Sequence, residues 1–317
     1  MRIRVAVVLL LLPLLAEAQR TPPERKPIAG REIERANDEM IARKGRLEAA
    51  AKLHSVRLRD AIRDFQRNDF RVEPMHVAFG EFVTAAGQYF VAMHFDAALP
   101  ADVTKATLFG LVDNGAGEEF WSIEEQVTVS RAADGTAYYE RSFAFPPGNR
   151  NATFGFAVKG EPAAMVSTPM LLRELTKTTR AVSRLLVASQ VFALDKVQEP
   201  DAPFAFGGVK IVPRGDRTFR KGEEIWIFFE AQNPGIDDAG APNLSTSVTL
   251  EGNGTTKRVL ASDAEAIALK GVPGHFGVGT TVDASRLAPG EYTLRVSVKD
   301  AIAQAQYELL EKIAIVQ

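Results

Sequence analysis

Residues 287–300, Leu-Ala-Pro-Gly-Glu-Tyr-Thr-Leu-Arg-Val-Ser-Val-Lys-Asp, decide the fold. Pro289 and Gly290 are typical turn residues. After this turn apolar and polar residues alternate, which is the period of a strand with one buried face. The apolar members are Tyr292, Leu294, Val296 and Val298. The pattern predicts a strand that enters a β-sandwich.

A similar turn-and-strand pattern occurs earlier in the chain, where Pro146, Pro147 and Gly148 precede the alternating residues 154–158. The repeat predicts two related immunoglobulin- or fibronectin-like sandwiches, over residues 72–194 and 204–317, joined by a linker at 195–203. In the first sandwich the predicted strands are residues 75–82, 88–96, 103–112, 120–129, 136–145 and 151–158, with a returning strand at 181–194. A helix over residues 180–187 is the alternative for the start of that last segment. In the second they are residues 209–212, 224–231, 244–251, 256–260, 276–282, 292–299 and 307–315.

Composition limits the classes of partner and chemistry. The 317 residues are 46% hydrophobic, which is enough for about two domains with ordinary cores. With 38 basic and 40 acidic residues the chain has no overall positive field, so nucleic acid is not an expected partner. The absence of cysteine removes disulfides, thiolate nucleophiles and cysteine-based zinc sites.

The N-terminus has the pattern of an export signal. Arg2 and Arg4 precede an apolar run at 5–15, and residues 16–18 read Ala-Glu-Ala, a signal-peptidase pattern. We therefore expect a signal peptide at 1–18, a mature start near Gln19, and an extended tether at 19–30. No later stretch has the roughly 20 apolar residues of a transmembrane anchor. Export without disulfides is typical of a bacterial protein, either periplasmic or extracellular.

Residues 31–68 contain no proline, and their apolar residues recur at steps of three, four and seven. This spacing predicts one long amphipathic helix. The drift from a strict heptad favours packing against the first sandwich over a coiled coil, so a role in oligomerisation stays the alternative. His54 lies on the apolar stripe, where a partly buried structural histidine is more common than a ligand.

The second half also carries a family resemblance. Its residues are Phe204, Phe206 and Gly207, then Val212 and Pro213, residues 219–223 (Phe-Arg-Lys-Gly-Glu), and the stretch 287–300. Over roughly residues 140–317 the chain resembles the C-terminal β-sandwich region of exported bacterial von Willebrand factor A-related proteins. The resemblance implies an exported sandwich scaffold. The Asp-x-Ser-x-Ser metal motif of that family's A domain is absent from this sequence, so metal-dependent adhesion is not implied.

Motifs for common catalytic centres are missing from the sequence. There is no Gly-x-Ser-x-Gly elbow, His-Glu-x-x-His pair, Walker loop or EF-hand loop. Where two acidic residues occur as a pair they are adjacent in sequence, and adjacent side chains in a strand point to opposite faces of the sheet. The sequence therefore predicts a protein without enzymatic activity and without a cofactor.

One constellation suggests a metal site. A hairpin of residues 75–82 and 88–96 in which Val77 faces Met93 would place His76 opposite His94 on the outer face, with Asp96 beside them. Two imidazoles and a carboxylate could hold zinc or another transition metal. The alternative is that these are ordinary polar residues on a solvated sheet face.

The predicted function is binding or scaffolding in a bacterial envelope or secreted complex, with another envelope or extracellular protein as partner. Residues 214–216 spell Arg-Gly-Asp, but Gly-Asp between strands is also ordinary turn chemistry. The alternative function is a polysaccharide-binding accessory module or a glycoside hydrolase. In that case Trp121 or Trp226 would be the sugar platform, with carboxylates from different strands.

Overall fold

The computed structural model describes residues 52–194, 201–206, 208–252, 255–262, 267–268 and 274–317. Strands dominate this part of the chain, which confirms the mainly β prediction. The predicted signal peptide, the tether, the first part of the predicted helix and residues 195–200 of the predicted linker lie outside the described residues. Within the described part, no helix is long and apolar enough to cross a membrane.

The N-terminal half contains one eight-stranded sheet, in the order β4-β3-β7-β8-β1-β2-β6-β5. Its strands are β1 (Glu73–Val83), β2 (Tyr89–Ala97), β3 (Lys105–Asp113), β4 (Glu119–Thr128), β5 (Ser130–Arg131), β6 (Ala137–Phe143), β7 (Gly148–Val158) and β8 (Glu161–Leu172). The sheet curls where β1 leaves β8, since these two strands pair only through Glu73 with Ala164 and Pro74 with Met165. The two leaves, β4-β3-β7-β8 and β1-β2-β6-β5, therefore face each other across a core that includes Phe95, Phe143 and Phe154.

The C-terminal half contains a seven-stranded sheet, whose main order is β11-β12-β10-β14-β18-β17, and a five-stranded sheet, β13-β20-β19-β15-β16. The strands are β9 (Ala181–Val182), β10 (Leu186–Ala193), β11 (Ala205–Phe206), β12 (Val209–Pro213), β13 (Thr218–Arg220), β14 (Glu224–Gln232), β15 (Leu244–Gly252), β16 (Thr255–Ser262), β17 (Ile267–Ala268), β18 (His275–Asp283), β19 (Gly290–Asp300) and β20 (Ala305–Val316). A core containing Ile227, Phe229 and Leu294 lies between the two sheets.

The strand predicted from residues 287–300 is confirmed as β19. Its four alternating apolar residues, from Tyr292 to Val298, are all buried. The intervening Arg295 lies on the other face and contacts Glu251 and Glu308.

The prediction of one uninterrupted helix is wrong at residues 52–55, which are not helical. The single α-helix of the described residues, α1, spans Val56–Gln66, and the side chain of Ser55 accepts a hydrogen bond from the backbone N–H of Leu58 at its start. Serine competes with the helical backbone in this way, so it favours the first position of a helix over the interior. Leu58 and Ile62 of α1 pack on the outer face of the β4-β3-β7-β8 leaf.

A third apolar core joins the two halves. Phe82, Phe90 and Ala92 contribute from the N-terminal half, and the C-terminal half supplies Leu186, Ala188, Phe204, Phe206 and Ile211. The ring centroids of Phe82 and Phe206 lie 5.0 Å apart. Strand β10, which the sequence analysis placed with the first sandwich, pairs with β12 and β14 and brings Leu186 and Ala188 to this core. The predicted domain limits themselves stay a prediction.

We expect Leu294→Ala to lower the free energy of unfolding by about 2–5 kcal/mol, because it leaves a cavity at a fully buried position. Arg295→Ala, the matched change on the exposed face, should cost much less. Urea denaturation of both variants measures the difference. A larger loss for Arg295→Ala than for Leu294→Ala would contradict the assignment of the two faces.

Candidate functional site

The predicted hairpin forms, but its register differs by two residues from the expected one. Val77 pairs with Phe95 in place of Met93, and His76 pairs with Asp96 in place of His94. The cause is the connecting turn, in which Thr84 and Gln88 bond to each other around a three-residue loop. Gly87 ends this loop at φ 87°, the left-handed position that three-residue hairpin loops require. A shift of two keeps every side chain on its predicted face, so only the partners change.

The outer face of this hairpin was expected to meet solvent, and that expectation is wrong. Every residue of β2 after Tyr89 is buried, which means that both faces of the strand are covered. The C-terminal half covers the outer face. His94 retains only 2% of its side-chain exposure, and Asp96 is buried beside it.

The carboxylate of Asp96 is the shared acceptor of the cluster. Nδ1 of His76 lies 3.0 Å from Oδ1, and Nε2 of His94 lies 3.4 Å from Oδ2. The backbone N–H of Gly215, from the C-terminal half, donates to Oδ2 at 2.8 Å. Burial raises the pKa of Asp96, but the hydrogen bonds from His76 and His94 outweigh it and lower that pKa to about 2.

His94 lies between two carboxylates. Its Nδ1 is 3.0 Å from Oε1 of Glu140, while its Nε2 faces Asp96. A neutral imidazole has one N–H only, so donation to both ionised carboxylates requires the protonated ring. Burial lowers the pKa of His94, yet the hydrogen bonds to Asp96 and Glu140 raise it above the ordinary value.

Lys210 completes the cluster from the C-terminal half. Its ammonium group bonds to Glu140 and, at 2.8 Å, to the backbone carbonyl of Pro203. With His94 protonated, the two positive groups balance the carboxylates of Asp96 and Glu140. We call the group of His76, His94, Asp96, Glu140 and Lys210 the Asp96 cluster. Its polar groups pair across the junction of the two halves, which is the condition for burying charge without a large penalty.

The structure brings the three predicted metal ligands together, but as partners of one another. No set of three or more His, Asp or Glu side chains in the described ranges is placed to hold a metal ion. The ring nitrogens that face Asp96 are engaged in hydrogen bonds to it. The metal hypothesis stays a prediction. Without a metal, the geometry gives these residues a structural role, in which Asp96 connects His76 and His94 to the C-terminal half.

The Arg-Gly-Asp triplet is part of the same junction. A Cβ atom on Gly215 would lie 2.4 Å from Oδ2 of Asp96 and 3.1 Å from Cβ of His76, so only glycine allows this approach. The guanidinium of Arg214 contacts Asp216 at 3.1 Å and Asp134 of the N-terminal half at 3.4 Å. The triplet therefore has a structural use in which Arg214 is mostly buried.

A cleft of about 320 Å³ opens beside the cluster, between the two halves. Trp226 lines it, together with Asp134, Asp216, Glu223 and Glu224. Burial raises the pKa of Asp134, but hydrogen bonds from Thr136 and the charge of Arg214 lower it overall. A general acid for glycoside hydrolysis needs a raised pKa, so Asp134 is poorly suited to that role.

Sequence reasoning missed two buried carboxylates and their partners. Glu81 has no exposed side-chain surface and binds Arg184, at 2.9 Å, and Arg173. Glu230 and His275 form a second pair, both buried. A lone carboxylate inside an otherwise apolar strand was the available signal for Glu81, because such a group is buried only with a partner.

A comparison of the sequence with protein-family models finds no match, and a comparison with curated proteins finds none either.

We expect Gly215→Ala to destabilise the protein by about 1–3 kcal/mol, because the added Cβ displaces the loop and leaves Asp96 without its backbone donor. Gly279→Ala is the control, since a Cβ there meets nothing closer than 3.8 Å. Thermal and urea unfolding measure both. Equal stability of the two variants would show that the Gly215 contact is dispensable.

Stability should also depend on pH. The folded state raises the pKa of His94 and of His76, the latter chiefly through its hydrogen bond to Asp96. Their contribution is therefore complete below about pH 6.5 and is lost as the pH rises through the folded-state values. The contribution of Asp96 is present above pH 3.8 and is lost as the pH falls towards about 2.

Urea unfolding between pH 4 and pH 9 tests this, and we expect the free energy of unfolding to decrease above pH 6.5. His94→Gln should flatten this decrease, whereas His54→Gln, at an exposed position, is the matched control. A free energy that rises with pH over this range would contradict the assignment of His94 as a cation.

Proposed function

We propose that this chain is an exported, non-enzymatic binding or scaffolding protein of a bacterial envelope or secreted complex. In this proposal each half is an immunoglobulin- or fibronectin-like sandwich, made by the two leaves of the eight-stranded sheet and by the two sheets of the C-terminal half. The export pattern at residues 1–18 and the resemblance to von Willebrand factor A-related proteins support the location. The expected partner is another envelope or extracellular protein.

The observation that carries the proposal is the junction between the halves. Apolar residues such as Phe82 and Phe206 pack across it, and Asp96 accepts a hydrogen bond across it from Gly215. A surface that is both apolar and tied by buried polar bonds holds two β units in one orientation. A rigid body with strand edges and loops available is suited to presenting surfaces to another protein.

The polar groups of the described residues favour binding over catalysis. In the clusters that have the residue types of a catalytic centre, imidazoles and carboxylates bond to one another. Asp96 lies between two histidines, and Glu230 is paired with His275. A catalytic acid or nucleophile must face a site that substrate can reach. His94 and Asp96 line the cleft of about 320 Å³, but only 2% and 8% of their side chains are exposed and their polar atoms are engaged with each other, which supports a role in connecting strands.

One observation favours the alternative, a polysaccharide-binding module or glycoside hydrolase. Trp226 is half-buried in the 320 Å³ cleft, and Glu224 precedes it by two residues on the same face of β14. An aromatic ring beside carboxylates is a common arrangement for sugars. However, Glu223 and Asp216 both contact Arg214, so their carboxylates are already engaged by a protein side chain.

The two functions are separated by one pair of experiments on the mature chain. We expect the immobilised protein to capture a defined protein from the envelope fraction of its host at near-equimolar yield, with or without the isosteric change Glu224→Gln. A panel of envelope polysaccharides should show neither binding nor hydrolysis. Saturable sugar binding or hydrolysis that Glu224→Gln weakens at least tenfold would overturn the proposal in favour of the alternative.

A further inference from the structure

A second groove, of about 300 Å³, lies between the halves on the side of β8 and β20. Leu171 of β8 and Leu310 of β20 line it and keep 62% and 53% of their surface exposed. Phe79, Leu185 and Leu309 add further apolar surface. Two large exposed apolar side chains in one groove are unusual for a surface without a partner. We call this feature the Leu171–Leu310 groove.

One wall of the groove is an open strand edge. On one side β20 pairs with β19 along its whole length. On its other side β13 covers only Ala314, Ile315 and Val316. No strand of the described chain pairs with the preceding residues 305–313 on that side. Such an edge is a template onto which another extended chain can add.

The charge of the groove indicates what kind of chain fits. Four arginines line it, but Arg214 is paired with Asp134, Asp216 and Glu223, and Arg217 is paired with Glu311, so the positive charge that remains is that of Arg173 and Arg184. Glu308 is paired with Arg295. Arg173 and Arg184 share the single carboxylate of Glu81, which leaves one net positive charge at this wall of the groove. Arg173 and Arg184 each keep about a third of their side chain exposed, so they can contact a bound chain. The groove therefore complements acidic side chains.

We propose that the Leu171–Leu310 groove binds an extended segment of a partner protein in which apolar and acidic residues alternate. The segment adds to the free edge of β20, its apolar side chains contact Leu171 and Leu310, and its carboxylates face the arginines. This inference rests on the proposed binding function and assigns a site and a partner chemistry to it.

The geometry favours a single extended chain over a second copy of the protein. Phe79 and Leu171 of the N-terminal half line the groove together with residues of β20. A second copy that paired through its own strand edge would also have to fit the rest of its sheet against these residues. A peptide strand needs only one chain width beside β20, and main-chain hydrogen bonds with alternate side-chain pockets are the usual features of this mode.

The test uses a fluorescein-labelled peptide of alternating Glu and Leu, nine residues long, and the same peptide with Lys in place of Glu. We expect saturable binding of the acidic peptide by fluorescence anisotropy and at least tenfold weaker binding of the lysine peptide. Leu310→Asn and Leu171→Asn should each weaken binding about tenfold, because each removes apolar contact. Ile236→Asn is the matched control, since Ile236 is equally exposed, at 55%, and lies outside the groove.

Three results of the peptide measurements would overturn the inference. These are no saturation by the acidic peptide, equal binding of the lysine peptide, or an equal loss from Ile236→Asn. A concentration-dependent dimer that Leu310→Asn abolishes would assign the groove to a second copy and would also overturn it. Unfolding temperatures confirm that each variant is folded. If the envelope partner is still captured while the groove variants have no effect, only this inference fails and the proposed function stands.

Discussion

The buried carboxylate of Asp96 accepts hydrogen bonds from both halves of the protein, and the relative position of the two halves depends on these bonds. Burying an isolated charge is costly, and it is tolerated only where donors surround it. His76 and His94 supply two donors from the same sheet, and Gly215 supplies the third from the C-terminal half. Since one donor lies on the other side of the junction, separating the halves would leave the charge with fewer partners. The Asp96 cluster therefore favours one relative arrangement of the halves, whereas apolar contact alone is non-directional.

Apolar packing gives this arrangement its strength. Beside the cluster, Phe82 and Phe206 pack across the junction, and Phe206 stacks on Phe228 with ring centroids 4.8 Å apart. Strand β2 is consequently buried on both faces, which is unusual for an antiparallel strand and explains its nearly continuous apolar sequence. Because the surfaces that face each other at the junction are buried by packing, the surfaces available for binding a partner lie at the edges of the junction. The two clefts, beside Trp226 and beside Leu310, lie at such edges.

The sequence predicted the features that depend on local pattern. The alternation around Leu294 placed β19 and its buried face correctly, because a turn and a period of two are both local signals. The hairpin that carries His76 and His94 was predicted correctly, but its register was not. Predicting the register would have required recognising Gly87 as the end of a three-residue loop. The burial of Asp96 could not be predicted, since it depends on Gly215, far away in the chain. For the same reason, the face of β2 that carries His94 and Asp96 was predicted to meet solvent or a metal. In the structure this face packs against the C-terminal half.

Differential scanning calorimetry of the intact chain tests most directly whether the two halves form one body. If the junction couples them, the protein should unfold in a single transition whose calorimetric and van't Hoff enthalpies agree. Asp96→Ala should then separate this transition into two, because His76 and His94 lose the carboxylate that connects them to Gly215 of the C-terminal half. Two well-separated transitions in the unaltered protein, with positions that Asp96→Ala does not change, would contradict the account.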